Sequence, residues 1–190
     1  GKNTSKSWTI QQYQKMLHKA GGDAFKTIIT PLYLTRDTTA KMIEEGVKSV
    51  LLKSVKYYPP HGTTNSASGV PMDEMLGSDV FKAMEETGTI LNIHGEQHGM
   101  QPEEYFGRTT NAEEVFYSNV MPRLVEAHPN LRIVCEHITT AVAVDFVEKA
   151  SANVVATITP QHLLYTVGHL LQGLRYHLYC MPLVKHKEDR

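Results

Sequence analysis

The chain has 190 residues, with 41% apolar and 21% charged side chains, enough for one domain with a substantial core. A net charge of −1 and a pI near 6.9 give no electrostatic case for nucleic acid or an anionic membrane surface. No stretch approaches the ~20 apolar residues of a spanning helix. The polar opening GKNTSKSW lacks the apolar centre of a secretory signal, and two cysteines, Cys135 and Cys180, are too few for a disulfide framework. A reducing, cytoplasmic setting is therefore expected.

Residues 9–19 (TIQQYQKMLHK) place Ile10, Tyr13, Met16 and Leu17 on one helical face that ends before Gly21 and Gly22. Residues 27–34 (TIITPLYL) predict a strand weakened by Pro31, and residues 38–46 a helix capped by Thr38 or Thr39. A second strand, 50–56 (VLLKSVK), ends on Lys56 and leads into a polar loop, 57–70, rich in Gly, Pro, Ser and Thr. A continuous helix is predicted over 73–87, stopped by Gly88, then a strand over 89–94 (TILNIH). A helix over 111–127 opens on an Asn cap with Glu113 and Glu114 in its first turn. The strand 132–137 (RIVCEH), a helix over 141–150 and the strand 153–158 (NVVATI) follow. Residues 159–181 read as irregular or short helix. Met16, Met42 and Met84 read as core, and His61, His98, His128 and His186 as surface or loop residues.

Five alternations of strand and helix argue for a parallel α/β sheet. Spacing alone fits an open five-unit sheet and five-eighths of a closed barrel equally well. Lys56, His94 and His137 stand at the ends of three of these strands, 38 and 43 residues apart, about one strand-plus-helix unit each. In a parallel barrel such positions converge on one mouth. Imidazoles are good zinc ligands, and Gly95 leaves room for a ligand to approach the backbone. For each histidine the alternative is a strand-end hydrogen bond, and for Lys56 a snorkelling side chain. A lysine made neutral by burial and neighbouring cations can instead add carbon dioxide to form a carbamate, an anionic ligand able to bridge two metals. Glu96 is a candidate partner behind His94.

The runs Lys56-Tyr57-Tyr58-Pro59, Gly62 to Val70 (GTTNSASGV), Asn92-Ile93-His94-Gly95-Glu96, Cys135 to Thr140 (CEHITT), Ala156 to Leu163 (ATITPQHL) and His177 to Pro182 (HLYCMP) together resemble the single-domain type of dihydroorotase. The resemblance implies an amidohydrolase (β/α)8 barrel, here about five of eight units. The activity it implies is interconversion of N-carbamoyl-L-aspartate and dihydroorotate in pyrimidine biosynthesis. It further implies two Zn2+ ions bridged by carbamylated Lys56 and a hydroxide, with His94 and His137 as ligands to one of them. Thr63 and Thr64, on a loop that moves over the substrate, and the backbone near Met181 would contact the small-molecule substrate. A homodimer is expected.

The family's His-x-His pair, its carboxylate-binding arginine and its late catalytic aspartate have no counterpart in these 190 residues. The expectation is thus an internal portion, lacking the first two strands and the eighth, of a longer enzyme. Two alternatives stand beside it: a hydantoinase- or allantoinase-like cyclic amidohydrolase, and a non-catalytic dihydroorotase-like scaffold.

Overall fold

A computed structural model describes residues 9–190 of the chain. The stretch GKNTSKSW, read above as too polar for a secretory signal, lies outside the described residues. Five strands, β1 (Leu32–Tyr33), β2 (Ser54–Tyr57), β3 (Ile90–Ile93), β4 (Ile133–Cys135) and β5 (Val154–Ala156), form one sheet in the order β1-β2-β3-β4-β5. Every pairing is parallel, so each connection crosses over on a helix and all five carboxyl ends face the same way. The architecture is α/β, a partial barrel. No helix among the described residues is long and apolar enough to cross a membrane.

The helices follow from caps that the sequence writes plainly. Thr9 closes a capping box with Gln12 at the start of α1 (Ile10–Lys19), and Thr39 caps α2 (Ala40–Lys48). The continuous helix expected over 73–87 is instead two: α3 (Met72–Met75) and α4 (Asp79–Thr87). Ser78 takes an extended conformation and its side chain accepts from Phe81 N, which restarts the helix after Gly77. Gly88 then ends α4 in the left-handed region, at φ 70°. A short helix that the pattern did not announce, α5 (Pro102–Tyr105), precedes the segment expected over 111–127.

That segment is α6 (Ala112–Val115), a π-helical turn (Phe116–Val120) and α7 (Met121–Ala127). The wide turn lies just before Pro122, which has no N–H to donate back into the helix. Thr140 caps α8 (Ala141–Lys149), and α9 (Pro160–Leu164) and α10 (Val167–Leu171) carry the chain towards its end. Only two residues of the expected strand 27–34 pair, and they follow Pro31, which cannot donate to a ladder.

In-register neighbours place Val55, Tyr57, Leu91, Ile93, Ile133 and Cys135 on one face of the sheet, where all are buried. With Phe81, Met84, Phe116, Met121 and Leu124 from the covering helices they make the core. The opposite face, with Lys56, Asn92 and Val134, is less uniformly covered, and Val155 of β5 is 49% exposed. Of the three methionines expected in the core, Met84 is fully buried. Met16 and Met42 are 44% and 51% exposed.

Candidate metal and substrate site

Lys56 lies on the incompletely covered face of β2, with Asn92 opposite it on β3 and Val134 beyond on β4. His94 follows the last residue of β3, and its backbone N–H donates to Tyr57 O at 3.1 Å, which continues the ladder past the strand end. His137 lies two residues beyond β4, where the backbone turns sharply. Its φ of 45° is in the left-handed region, a conformation that costs a β-carbon residue of order 1–3 kcal/mol. Two bonds from the loop after β5 hold the turn: His137 N donates to Thr157 Oγ1 at 2.9 Å and Ile138 N to Thr157 O at 3.0 Å.

The three side chains expected to converge do so. The imidazoles of His94 and His137 meet edge to face with centroids 4.9 Å apart. Lys56 Nζ stands 4.7 Å over the Tyr58 ring, whose centroid is 5.8 Å from that of His94. Lys56 also forms an ion pair with Glu136, a residue of the CEHITT run that the sequence reading left without a role. Burial pulls the Lys56 ammonium below its usual range, and Glu136 opposes that shift. Burial, assisted by His94 and Lys56, lowers His137 to about 3, so its ring is neutral at ordinary pH.

His94 is 1% exposed, and its Nε2–H donates to Glu96 Oε2 at 2.6 Å. Glu96 is therefore the carboxylate behind His94, on the Nε2 side of the ring, with Nδ1 on the other. The space expected beside Gly95 for a ligand is occupied. A β-carbon there would lie 2.7 Å from Cε2, 2.8 Å from Oη and 2.9 Å from Cζ of Tyr117, so it is the tyrosine ring that requires glycine.

Among the described residues, no three His, Cys, Asp or Glu side chains stand together so as to hold a metal ion. Lysine lies outside that set of residue types, and the fit rests on chemistry at the two rings. His137 Nδ1 is buried without a hydrogen-bond partner, on a neutral imidazole in contact with a second one. An orphaned lone pair in that setting suits a cation.

Thr63, Thr64 and Met181, read as substrate contacts, line a single cleft of about 380 Å3 together with Tyr105, Phe106 and Tyr179. Lys56, His94 and His137 do not line it. Within the loop, Ser66 Oγ accepts from Thr63 N at 2.9 Å and donates to Thr63 O at 2.7 Å, a closed turn that holds the two threonines out. The aromatic wall went unread because Tyr105 sits on the unannounced helix α5.

Two histidines take structural parts. His128, expected at the surface, is buried with Nε2 against Leu76 O at 2.8 Å. His162 is buried between Thr159 Oγ1 (2.6 Å) and Pro182 O (2.9 Å).

Comparison with known proteins gives one consistent answer. No family model matches. The chain is 44% identical over 168 residues to a dihydroorotase of Psychromonas ingrahamii, covering 88% of this chain and 46% of the relative. It is 42% identical over 171 residues to a dihydroorotase of Halorhodospira halophila, covering 89% and 47%. Among solved structures it is similar to the Saccharomyces cerevisiae dihydroorotase in complex with 5-fluoroorotic acid. There the TM-score is 0.81 at 30% identity, over 95% of this chain and 51% of that one. A Campylobacter jejuni dihydroorotase gives a TM-score of 0.73 at 27% identity, over 94% and 49%. The chain thus spans about half the length of the relatives it matches.

Proposed function

The chain belongs to the dihydroorotase family over the half of the relatives' length that it spans, and from this premise we propose that it takes part in the reversible cyclisation of N-carbamoyl-L-aspartate to dihydroorotate. The observation that carries the reading is the meeting of His94 and His137, with Lys56 beside them, at the carboxyl ends of three adjacent parallel strands.

His94, His137 and a carbamylated Lys56 would hold zinc, with Lys56 bridging two ions. Zinc bound there supplies Lewis acidity towards an amide carbonyl and lowers the pKa of water, a remedy for the poor electrophilicity of a cyclic amide. The rest falls to the chain. Glu96 fixes the orientation of the His94 ring. Burial keeps His137 neutral and its lone pair available. Thr63 and Thr64 present hydroxyls to the substrate, the Met181 backbone meets its ring, and Tyr105, Phe106 and Tyr179 close an apolar wall that limits water. On this reading the chain is the middle of a barrel in a cytoplasmic, homodimeric enzyme.

The test is zinc content together with dihydroorotate hydrolysis, measured on these 190 residues joined to the remaining strands of the barrel, and on His94→Ala and His137→Ala in that same protein. About two zinc ions per chain, lost in both variants, with hydrolysis that follows the metal, is the expected result. Absence of zinc and of hydrolysis in the parent would overturn the reading and leave the scaffold alternative.

A further inference from the structure

Glu113 is 2% exposed and lies in the first turn of α6, far from either strand end in sequence. Its carboxylate accepts four hydrogen bonds from two consecutive residues of the loop after β4. Oε1 accepts from Thr139 N (2.7 Å), Thr140 N (2.9 Å) and Thr140 Oγ1 (2.9 Å), and Oε2 from Thr139 Oγ1 (2.5 Å). Burial raises the Glu113 carboxyl above its usual range, and the bonds from Thr139 and Thr140 oppose that shift; in so dry a setting a lost partner is costly. Thr139 and Thr140 follow His137 by two and three residues, and His137 is the residue held in the left-handed region.

The same turn of helix also grips the other histidine loop. Gln97 N, three residues after His94, donates to Ala112 O at 2.9 Å, and the Tyr117 ring packs against Gly95. The turn is itself fixed. Asn111 Oδ1 accepts from Glu113 N and Glu114 N, and Glu114 Oε2 accepts from Asn111 N. One rigid helix start therefore touches the loops that carry His94 and His137.

We propose that Glu113 is a positioning residue that sets His137 against His94 by bracing Thr139 and Thr140. Its importance for activity rests on the reading of the two imidazoles as metal ligands, whereas its effect on their geometry does not. A glutamine at this position has one acceptor oxygen where the carboxylate has two, and its NH2 must face a hydroxyl or an amide that now donates. The loop cannot keep all four bonds as they stand.

The experiment compares the parent with Glu113→Gln in the full chain, uniformly labelled at histidine. Two quantities are read: the nuclear Overhauser contact between the His94 and His137 rings, and zinc affinity by chelator competition. The expected result is a weakened ring contact and zinc affinity lowered about tenfold. Glu114→Gln, whose side chain serves only the helix cap, should leave both unchanged. Should Glu113→Gln not fold, Thr139→Val removes a single Oγ1–Oε2 bond at nearly constant volume and carries the same expectation, with Thr139→Ser restoring the contact. A lowered melting temperature with an unchanged ring contact in the folded variant would mean a structural role only and would overturn the proposal. A parent that binds no zinc would sink the metal reading, while the ring contact would still decide on Glu113.

Discussion

Replacing Gly95 by alanine tests how tightly the His94 loop is seated. The new β-carbon would meet three atoms of one ring, Cε2, Oη and Cζ of Tyr117, at 2.7 to 2.9 Å, where ordinary carbon contacts begin near 3.5 Å. The ring has little freedom to retreat. Tyr117 is 2% exposed and packs on Phe116 and Phe146, with centroids 5.8 and 5.7 Å away. Relief must come from the loop, which carries His94 on one side of Gly95 and Glu96 on the other. Overpacking of this kind costs about 1–3 kcal/mol. For a chain of this size that corresponds to a melting temperature lowered by roughly 2–12 °C in a thermal scan. Tyr117→Phe should not rescue the variant, because Cε2 and Cζ remain. Tyr117→Leu should rescue it, so that the double variant loses clearly less than the sum of the two single losses. An unchanged melting temperature in Gly95→Ala, or simple additivity with Tyr117→Leu, would refute the argument.

Two further outcomes follow from the same structure. Burial lowers the pKa of His162, so below the usual imidazole value of 6.5 the unfolded chain takes up a proton that the folded chain resists. Its contribution to stability is complete above that value and is lost as pH falls towards the folded pKa. Urea titrations across this range should give a shallower pH slope for His162→Asn than for the parent, and equal slopes would contradict the assignment. At Gly88 the obstacle is backbone alone, since nothing lies within 4 Å of an added β-carbon and φ is 70°. Gly88→Ala should cost about 1–2 kcal/mol in urea unfolding and Gly88→Asn distinctly less, and equal losses would show that crowding is responsible.

The alternation of strands and helices and several helix starts were legible because each rests on local chemistry. Val, Ile and Leu runs alternate with helices, and the caps at Thr39 and Asn111 stand one residue ahead of the first turn. Lys56, His94 and His137 were legible for the same reason, as polar residues closing apolar runs at a fixed interval. Contacts made across the fold were not. Nothing in the sequence pairs Lys56 with Glu136, or Glu113 with Thr139 and Thr140, since partners 80 and 26 residues apart leave no periodic trace. Glu113 and Glu114 read alike as acidic residues in a first turn, yet one caps its own helix and the other is buried in a neighbouring loop. Gly95 was read as room for a ligand because a glycine states only that space is required, without naming what fills it.

The distance in sequence between Lys56 and Glu136 has a kinetic consequence. Each strand–helix–strand unit is assembled from neighbouring residues, whereas the ion pair closes a loop of 80 residues and needs the two consecutive units from β2 to β4 already docked. The entropic cost of closure grows with loop length, so this contact is expected to form after the units it joins. Hydrogen exchange at Glu136 and His137 should report opening events that leave the buried core of α4 and β3 protected.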